Sequence, residues 1–289
     1  MKKILCILLS LVLLIGVCGC AKSNKEENKP STEKDSVTFA IFSDIHIGLS
    51  DGHADRFTKG IDWANNYEPV EFVLSLGDNV HNGRDASMVA KFDELAKDFK
   101  KPFYTLRGNH DHNAYDRNVY IDCGDVAIIA FYAELMWTTE KPYSSGWGVP
   151  QQDIEWIEEK LEQSRGKRVI FGCHIGIVQD NPNFNTWLET KAINEETGEV
   201  NLDFGREKIL ELAEKYNVEL YFNGHEHNRD VPNGVAGTMI DFNLGSLGSD
   251  GVYMVVTVEK EKAVIEIRDI NVDGIRRKLD YQFRFDIVK

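Results

Sequence analysis

Five short apolar runs in this chain each stop on residues that bind metal or move protons, and that recurrence limits the folds open to it. Val37 to Ser43 (VTFAIFS) leads into Asp44-Ile45-His46, and Phe72 to Leu76 (FVLSL) into Gly77-Asp78-Asn79. Phe103 to Arg107 (FYTLR) leads into Gly108-Asn109-His110-Asp111. Val169 to Cys173 ends at His174, and Leu220 to Phe222 leads into Asn223-Gly224-His225-Glu226-His227. Runs rich in β-branched and aromatic residues, closed by turn residues, read as buried strands. In open α/β sheets, ligands gather at the carboxyl ends of strands. A one-residue gap in an extended segment puts Asp44 and His46 on one side, and likewise His225 and His227. Gly108 is expected to let the backbone turn sharply at its strand end. The mixed nitrogen and oxygen donors suit transition metals such as Zn, Fe or Mn without selecting among them.

Between these runs lie helical patterns. Ala54 to Tyr67 carries Phe57, Ile61 and Ala64 at helical spacing, and Glu68-Pro69 closes it. Ala86 to Phe99, Gln151 to Gln163 and Arg206 to Tyr216 read the same way, and Val126 to Tyr132 is a further strand. A loop rich in aromatic residues (Trp137, Tyr143, Trp147) follows Tyr132, and 180–199 reads as an insertion. From Val235 the chain is strand after strand: Thr238 to Phe242, Tyr253 to Val258, Ala263 to Ile270 and Gln282 to Val288. Alternating strands and helices followed by consecutive strands favour α/β architecture with two sheets.

The formal net charge is −14. An acidic surface repels polyanions, so no general nucleic-acid binding is expected. A small phosphate ester at a metal site remains compatible, because bound cations invert the local field. No protein partner can be inferred.

Met1-Lys2-Lys3 is a basic segment, and Ile4 to Val17 is an apolar stretch of signal-peptide length, short for a membrane span. It ends Val17-Cys18-Gly19-Cys20, which resembles a bacterial lipoprotein lipobox. The resemblance implies a signal peptide over 1–19, lipid on Cys20, and a cell-membrane anchor on the extracytoplasmic face. The rest of 20–36 is almost wholly polar and reads as a disordered tether, spanning roughly 20–25 Å as a coil. The domain is expected over 37–289. Cys123 and Cys173 read as thiols.

Taken in order, D-x-H, G-D, G-N-H-D, H and G-H-x-H resemble the calcineurin-like metallophosphoesterase superfamily. The resemblance implies a four-layer α/β/β/α sandwich with two mixed sheets and a site for two divalent or trivalent transition-metal ions (Mn, Fe or Zn). One ion would take Asp44, His46 and His227, the other Asn109, His174 and His225, and Asp78 would bridge them. A metal-bridging hydroxide would then hydrolyse a phosphomonoester or phosphodiester. His110 would face the substrate as acid or charge stabiliser. Asp111 would either orient and charge His110 or cap the turn that follows. His81 is equally a pocket rim or plain surface, and His53 and His112 read as surface.

The substrate is expected to be a small phosphoester. Candidate specificity loops are 137–149 and 180–198, where Trp147, Phe184 and Trp187 either stack on a base or sugar or simply pack. Two alternatives come from other classes: a metal-dependent surface binding protein without turnover, and an envelope protein whose metals only staple the core.

Overall fold

The computed structural model describes residues 36–139, 144–178, 187–194, 196–227 and 232–289. The leader, Cys20 and the tether up to residue 35 lie outside the described residues, as do Tyr143 and Phe184. The first half of the domain runs β1 (Ser36–Phe42), α1 (Asp51–Asn66), β2 (Phe72–Ser75), α2 (Ala86–Ala96), β3 (Phe103–Thr105), β4 (Val119–Asp122), β5 (Val126–Phe131), β6 (Glu134–Trp137) and β7 (Ser145–Gly148). It continues through α3 (Gln151–Gln163), β8 (Arg168–Cys173), β9 (Lys191–Ile193), β10 (Val200–Asp203), α4 (Arg206–Lys215) and β11 (Leu220–Asn223). The rest is β12 (Gly234–Ala236), β13 (Met239–Asn243), α5 (Leu247–Asp250), β14 (Val252–Glu259), β15 (Lys262–Asp269) and β16 (Gly274–Gln282).

Two six-stranded sheets result, in the orders β16-β15-β14-β1-β2-β3 and β12-β13-β11-β8-β5-β4. Both are mixed. β1, β2 and β3 run parallel, while β14, β15 and β16 add antiparallel strands to the first sheet. β5, β8, β11 and β13 run parallel in the second, with β4 and β12 antiparallel at its edges.

Their facing sides form one core, including Phe39, Ile41, Leu74, Ile128, Ile170, Phe222 and Met254. α1 and α2 cover the outer side of the first sheet through Phe57, Ile61 and Phe92, against Phe42 and Val73. α3 and α4 cover the second through Ile157, Leu161, Ile209 and Leu212, against Phe131 and Phe171. The layers are therefore α/β/β/α, as the sequence resemblance implied. Burial on both sides explains why β5 (VAIIAF) and β8 (RVIFGC) are continuous apolar runs without alternation. Each fully buried Phe or Ile among them stabilises the fold by about 2 kcal/mol.

Several readings change: β4 and β12 are additional strands, α1 starts three residues earlier than expected, at Asp51, and α2 stops at Ala96. β1 begins one residue earlier than expected, at Ser36. The segment after Tyr132 contains a hairpin, β6 paired with β7. Part of the 180–199 insertion forms a second hairpin, β9 with β10. The last strand is Gly274–Gln282, not Gln282 to Val288. Beyond it, the backbone N–H groups of Arg284 and Phe285 go to the buried carboxylate of Glu219 at 2.9 and 3.0 Å, so that stretch has no ladder to join. β16 itself is mostly exposed at the sheet edge, which leaves only Leu279 and Tyr281 as an apolar alternation. No helix among the described residues is long and apolar enough to cross a membrane.

Candidate metal centre

Parallel strands bring their carboxyl ends to one edge of the sandwich. Asp44 follows β1, Asp78 follows β2 and Asn109 follows β3 in the first sheet; His174 follows β8 and His225 follows β11 in the second. Backbone bonds lace the first two ends together: Asp44 N–H donates to Gly77 O (3.0 Å) and His46 N–H to Asp78 O (2.9 Å). Gly224 N–H donates to His174 O (3.1 Å) on the other side.

Two clusters of donor atoms hold expected ligands alone, one of Asp44, His46 and His227, the other of Asp78, His174 and His225; a third sets His46 beside His81 and His110. His227 Nε2 lies 3.1 Å from Asp44 Oδ1, and His46 Nε2 lies 3.9 Å from that same oxygen. Asn109 Oδ1 is 3.0 Å from both His174 Nε2 and His225 Nδ1. Asp78 Oδ2 is shared: it is 3.2 Å from His174 Nε2 and 3.6 Å from His46 Nε2.

Two of these separations, those of His46 Nε2 from Asp44 (3.9 Å) and Asp78 (3.6 Å), are too long for hydrogen bonds. They suit donors around a common ion, since ligands about 2.0–2.2 Å from a tetrahedral ion sit roughly 3.4 Å apart. The other atoms of Asp44, Asp78 and His174 are already committed, whereas His46 Nδ1 is buried without a partner among the described residues. Asp44 Oδ2 accepts from Ser43 Oγ (2.7 Å) and His225 N (3.1 Å). Asp78 Oδ1 accepts from His110 N (2.8 Å). His174 Nδ1 donates to Leu76 O (2.9 Å), which points Nε2 at Asn109 and Asp78, the arrangement that orients a metal-binding histidine. The donor set therefore fits two metal ions.

The calcineurin-like phosphoesterase family model matches residues 37–229, spanning all seven donors. The chain belongs to the calcineurin-like phosphoesterases. It is 23% identical over 179 residues to purple acid phosphatase 4 of Arabidopsis thaliana, covering 55% of this chain and 52% of that protein. It is 26% identical over 180 residues to a probable glycerophosphodiester phosphodiesterase of Arcobacter nitrofigilis, covering 56% and 59%. Thus it spans only part of the curated relatives it matches. A purple acid phosphatase from yellow lupin (Lupinus luteus) seeds superposes with a TM-score of 0.59 at 16% identity, covering 86% of this chain and 54% of that one. At that identity the likeness shows the fold alone.

The backbone of this phosphoesterase site departs from the extended geometry expected of its D-x-H and H-x-H pairs. Asp44, His46, Asp78, His225 and His227 have φ of 54°, 50°, 52°, 71° and 53°. Left-handed backbone is unusual for residues with a Cβ, and here it turns successive donors toward one centre. Gly108 also differs from expectation. It is absent from the positive-φ residues; instead, a Cβ there would lie 2.2 Å from Asp78 N and 2.3 Å from Asp78 Oδ1. The glycine permits close approach of β3's end to the shared carboxylate. Gly224 does the same beside Asp44, where a Cβ would meet Ser43 Oγ at 1.9 Å.

Charge follows geometry. Burial opposes ionisation of Asp44, but His227, His174 and His46 outweigh it and hold the carboxyl well below its usual range. Burial also opposes charge on His174, yet Asp78 and Asp44 push it up to about 9. Burial brings His46 and His225 down to about 4 and keeps both neutral, as metal ligands must be. The site demands positive charge, and without metal a proton on His174 supplies it.

His110 stands beside this centre, its ring 4.9 Å from that of His46. Its Nδ1 donates to the carbonyl of His81 (2.8 Å), so in the neutral ring Nε2 is the acceptor. Asp111 does not support it. The Asp111 carboxylate accepts from Gly108 N (2.8 Å), Val80 N (3.0 Å) and Asn79 Nδ2 (3.0 Å). It faces the loops behind the site, and it neither orients His110 nor caps the following turn. Burial and the nearby Asp78 push its carboxyl up to about 7.

His81, open in sequence, belongs to the site: its ring stacks on His110 at 5.2 Å. His53, expected at the surface, is buried beside α5 and bonded to Ser50 Oγ (2.8 Å). His112 stays outside the constellation. Trp187 is buried packing, and neither Cys123 nor Cys173 forms a disulfide. The sequence reading gave no role to the buried amides. Asn79 bonds Ser75 Oγ (2.6 Å) and Leu106 O (2.9 Å), and Asn243 bonds Gly224 O (2.9 Å). Asn79 and Asn243 each close a strand-end segment, the one signal that could have flagged them.

Proposed function

We propose that this chain hydrolyses a small phosphomonoester or phosphodiester at a dinuclear centre of transition-metal ions, Mn, Fe or Zn. The observation that carries the reading is Asp78: one oxygen is tied by His110 N, while the other stands between the two donor groups. One ion would be held by Asp44, His46, His227 and Asp78, the other by Asn109, His174, His225 and Asp78. Bound ions would neutralise phosphoryl charge and lower the pKa of a shared water toward neutrality.

The chain's own groups do the rest. Loops fixed by buried hydrogen bonds hold the donors in place, so little reorganisation accompanies reaction. With Nδ1–H held by the His81 carbonyl, the His110 ring would turn Nε2 to the substrate, and in the imidazolium form that nitrogen would donate a proton to the leaving oxygen or stabilise charge on phosphorus. Lipid on Cys20 would hold the enzyme outside the cytoplasmic membrane, where it would act on extracytoplasmic phosphoesters.

The test is hydrolysis of p-nitrophenyl phosphate and bis-p-nitrophenyl phosphate by the folded protein supplied with Mn, Zn or Fe. Metal-dependent turnover is expected, and no turnover with any of them sinks the hydrolase reading. Cys20→Ala is expected to release the protein from membranes in a fractionation; a variant that stays membrane-bound removes the anchor from the proposal.

A further inference from the structure

The hairpin β6–β7 has no part in the chemistry above, yet its composition is inverted. Leu135 pairs with Trp147 and Trp137 with Ser145. Paired residues share a face of the ribbon, as do residues two apart. Leu135, Trp137 and Trp147 therefore stand on one face. The other face carries Met136, Gly146 and Gly148. A Cβ on Gly146 would meet Glu189 Cγ at 2.3 Å, and one on Gly148 would meet Phe204 O at 2.9 Å. The small residues are thus pressed against the buried Phe204, while Trp137 and Leu135 face outward, 68% and 55% exposed, and Trp147 is half-buried, packed against the core on the outer side of the second sheet.

That outward face is continuous with the metal centre. The Trp147 ring lies 5.4 Å from the ring of His225, edge to face at 73°. Trp147 is held there by the Glu189 N–H, which donates to its carbonyl at 2.9 Å. From a ligand of the second metal group, an apolar surface runs outward through Trp147 to Leu135 and Trp137.

We propose that this face is the leaving-group subsite of the phosphoesterase, and that its substrate carries a planar apolar group, aryl or nucleoside in kind, on the esterified oxygen. The proposal rests on the hydrolase reading above. A ring laid on Trp147 removes apolar surface of both partners from water, whereas a glycerol-sized polar group gains nothing from it. Trp147 is then a specificity residue, and Trp137 and Leu135 extend its reach.

The test uses the full chain loaded with metal and two non-hydrolysable ligands, phenylphosphonate and methylphosphonate, titrated by calorimetry. Phenylphosphonate is expected to bind about 10- to 30-fold more tightly. Trp147→Ala is expected to bring the ratio to about threefold or less, and Trp147→Phe to restore most of it. Should Trp147→Ala fail to fold, the exposed Trp137→Ser carries the test and is expected to lower the ratio at least twofold. Equal binding of the two phosphonates, or a ratio untouched by the variants, overturns this inference while leaving the hydrolase intact. Absence of binding by either ligand, together with absence of turnover, refutes the hydrolase itself and this inference with it. Loss of binding to phosphatidylglycerol vesicles in Leu135→Ser and Trp137→Ser, with the ratio unchanged, assigns the face to a membrane and also overturns the proposal.

Discussion

Replacing His227 by glycine and by alanine, each in chelated protein, separates backbone strain from ligand chemistry. Both variants lose the same imidazole and the same 3.1 Å contact with Asp44. They differ only in the Cβ, on a residue whose φ is 53°. A Cβ in left-handed backbone costs about 1–2 kcal/mol. Glycine removes that cost but adds about 0.4–1 kcal/mol of unfolded-state freedom. His227→Gly should therefore be more stable than His227→Ala by about 1 kcal/mol. At His174, which lies outside the positive-φ set, only the second effect operates. There alanine should be the more stable, by about 0.5–1 kcal/mol. Urea unfolding reads the difference: with m near 3 kcal/mol/M, 1 kcal/mol moves the midpoint by about 0.3 M. The same sign at both sites would refute the strain account. Five donors share this backbone state, so the strain totals about 5–10 kcal/mol, comparable to the net stability of a typical domain. A site held so far from local preference must be over-determined by its surroundings, and bound metal stabilises it further by mass action.

Three more outcomes are expected. His110→Ala should lower turnover about 10²–10⁴-fold with metal content unchanged by elemental analysis; metal loss would make His110 a ligand. Asp111→Ala leaves Gly108 N, Val80 N and Asn79 Nδ2 without their acceptor, so thermal unfolding should show a loss of about 3 kcal/mol or more. A loss under about 1 kcal/mol would show that the carboxylate does not hold these loops. The third concerns pH. His174 is raised from 6.5 to about 9 in the folded chain, so its proton stabilises the metal-free fold fully below the unfolded value, and that stabilisation is lost as pH rises through about 9. Metal must displace this proton. Apparent affinity should rise about tenfold per pH unit between pH 7 and 9, and an indicator dye should record proton release on metal addition at pH 7; no release contradicts the assignment.

The layers, and the convergence of the strand-end residues at one edge, were legible because their signals lie in side-chain type and order. An apolar run ending on Asp, Asn or His is visible without coordinates, and so is the helical spacing of Phe57, Ile61 and Ala64. The misreadings share a cause: the decisive partner is remote in sequence. Asp111 looked like a support for its neighbour His110 or a cap for the turn that follows, but its acceptors are spoken for by Asn79 and Val80, some thirty residues earlier. Gly108 looked like a turn residue, but its missing side chain makes room for Asp78. Gln282 to Val288 looked like a strand, but the Arg284 and Phe285 amides go to Glu219. The positive φ of five donors leaves no mark at all, since nothing in Asp or His announces left-handed backbone. Natural sequences break local rules where function requires it. The same logic gives weight to the β6–β7 hairpin, where Trp137 and Leu135 stand outward and Trp147 reaches from their face to a ligand of the second metal group. The fold accounts for the glycines, since a Cβ on Gly146 or Gly148 has no room; it does not account for tryptophan and leucine, rather than polar residues, on the side open to water, and a bound apolar group does.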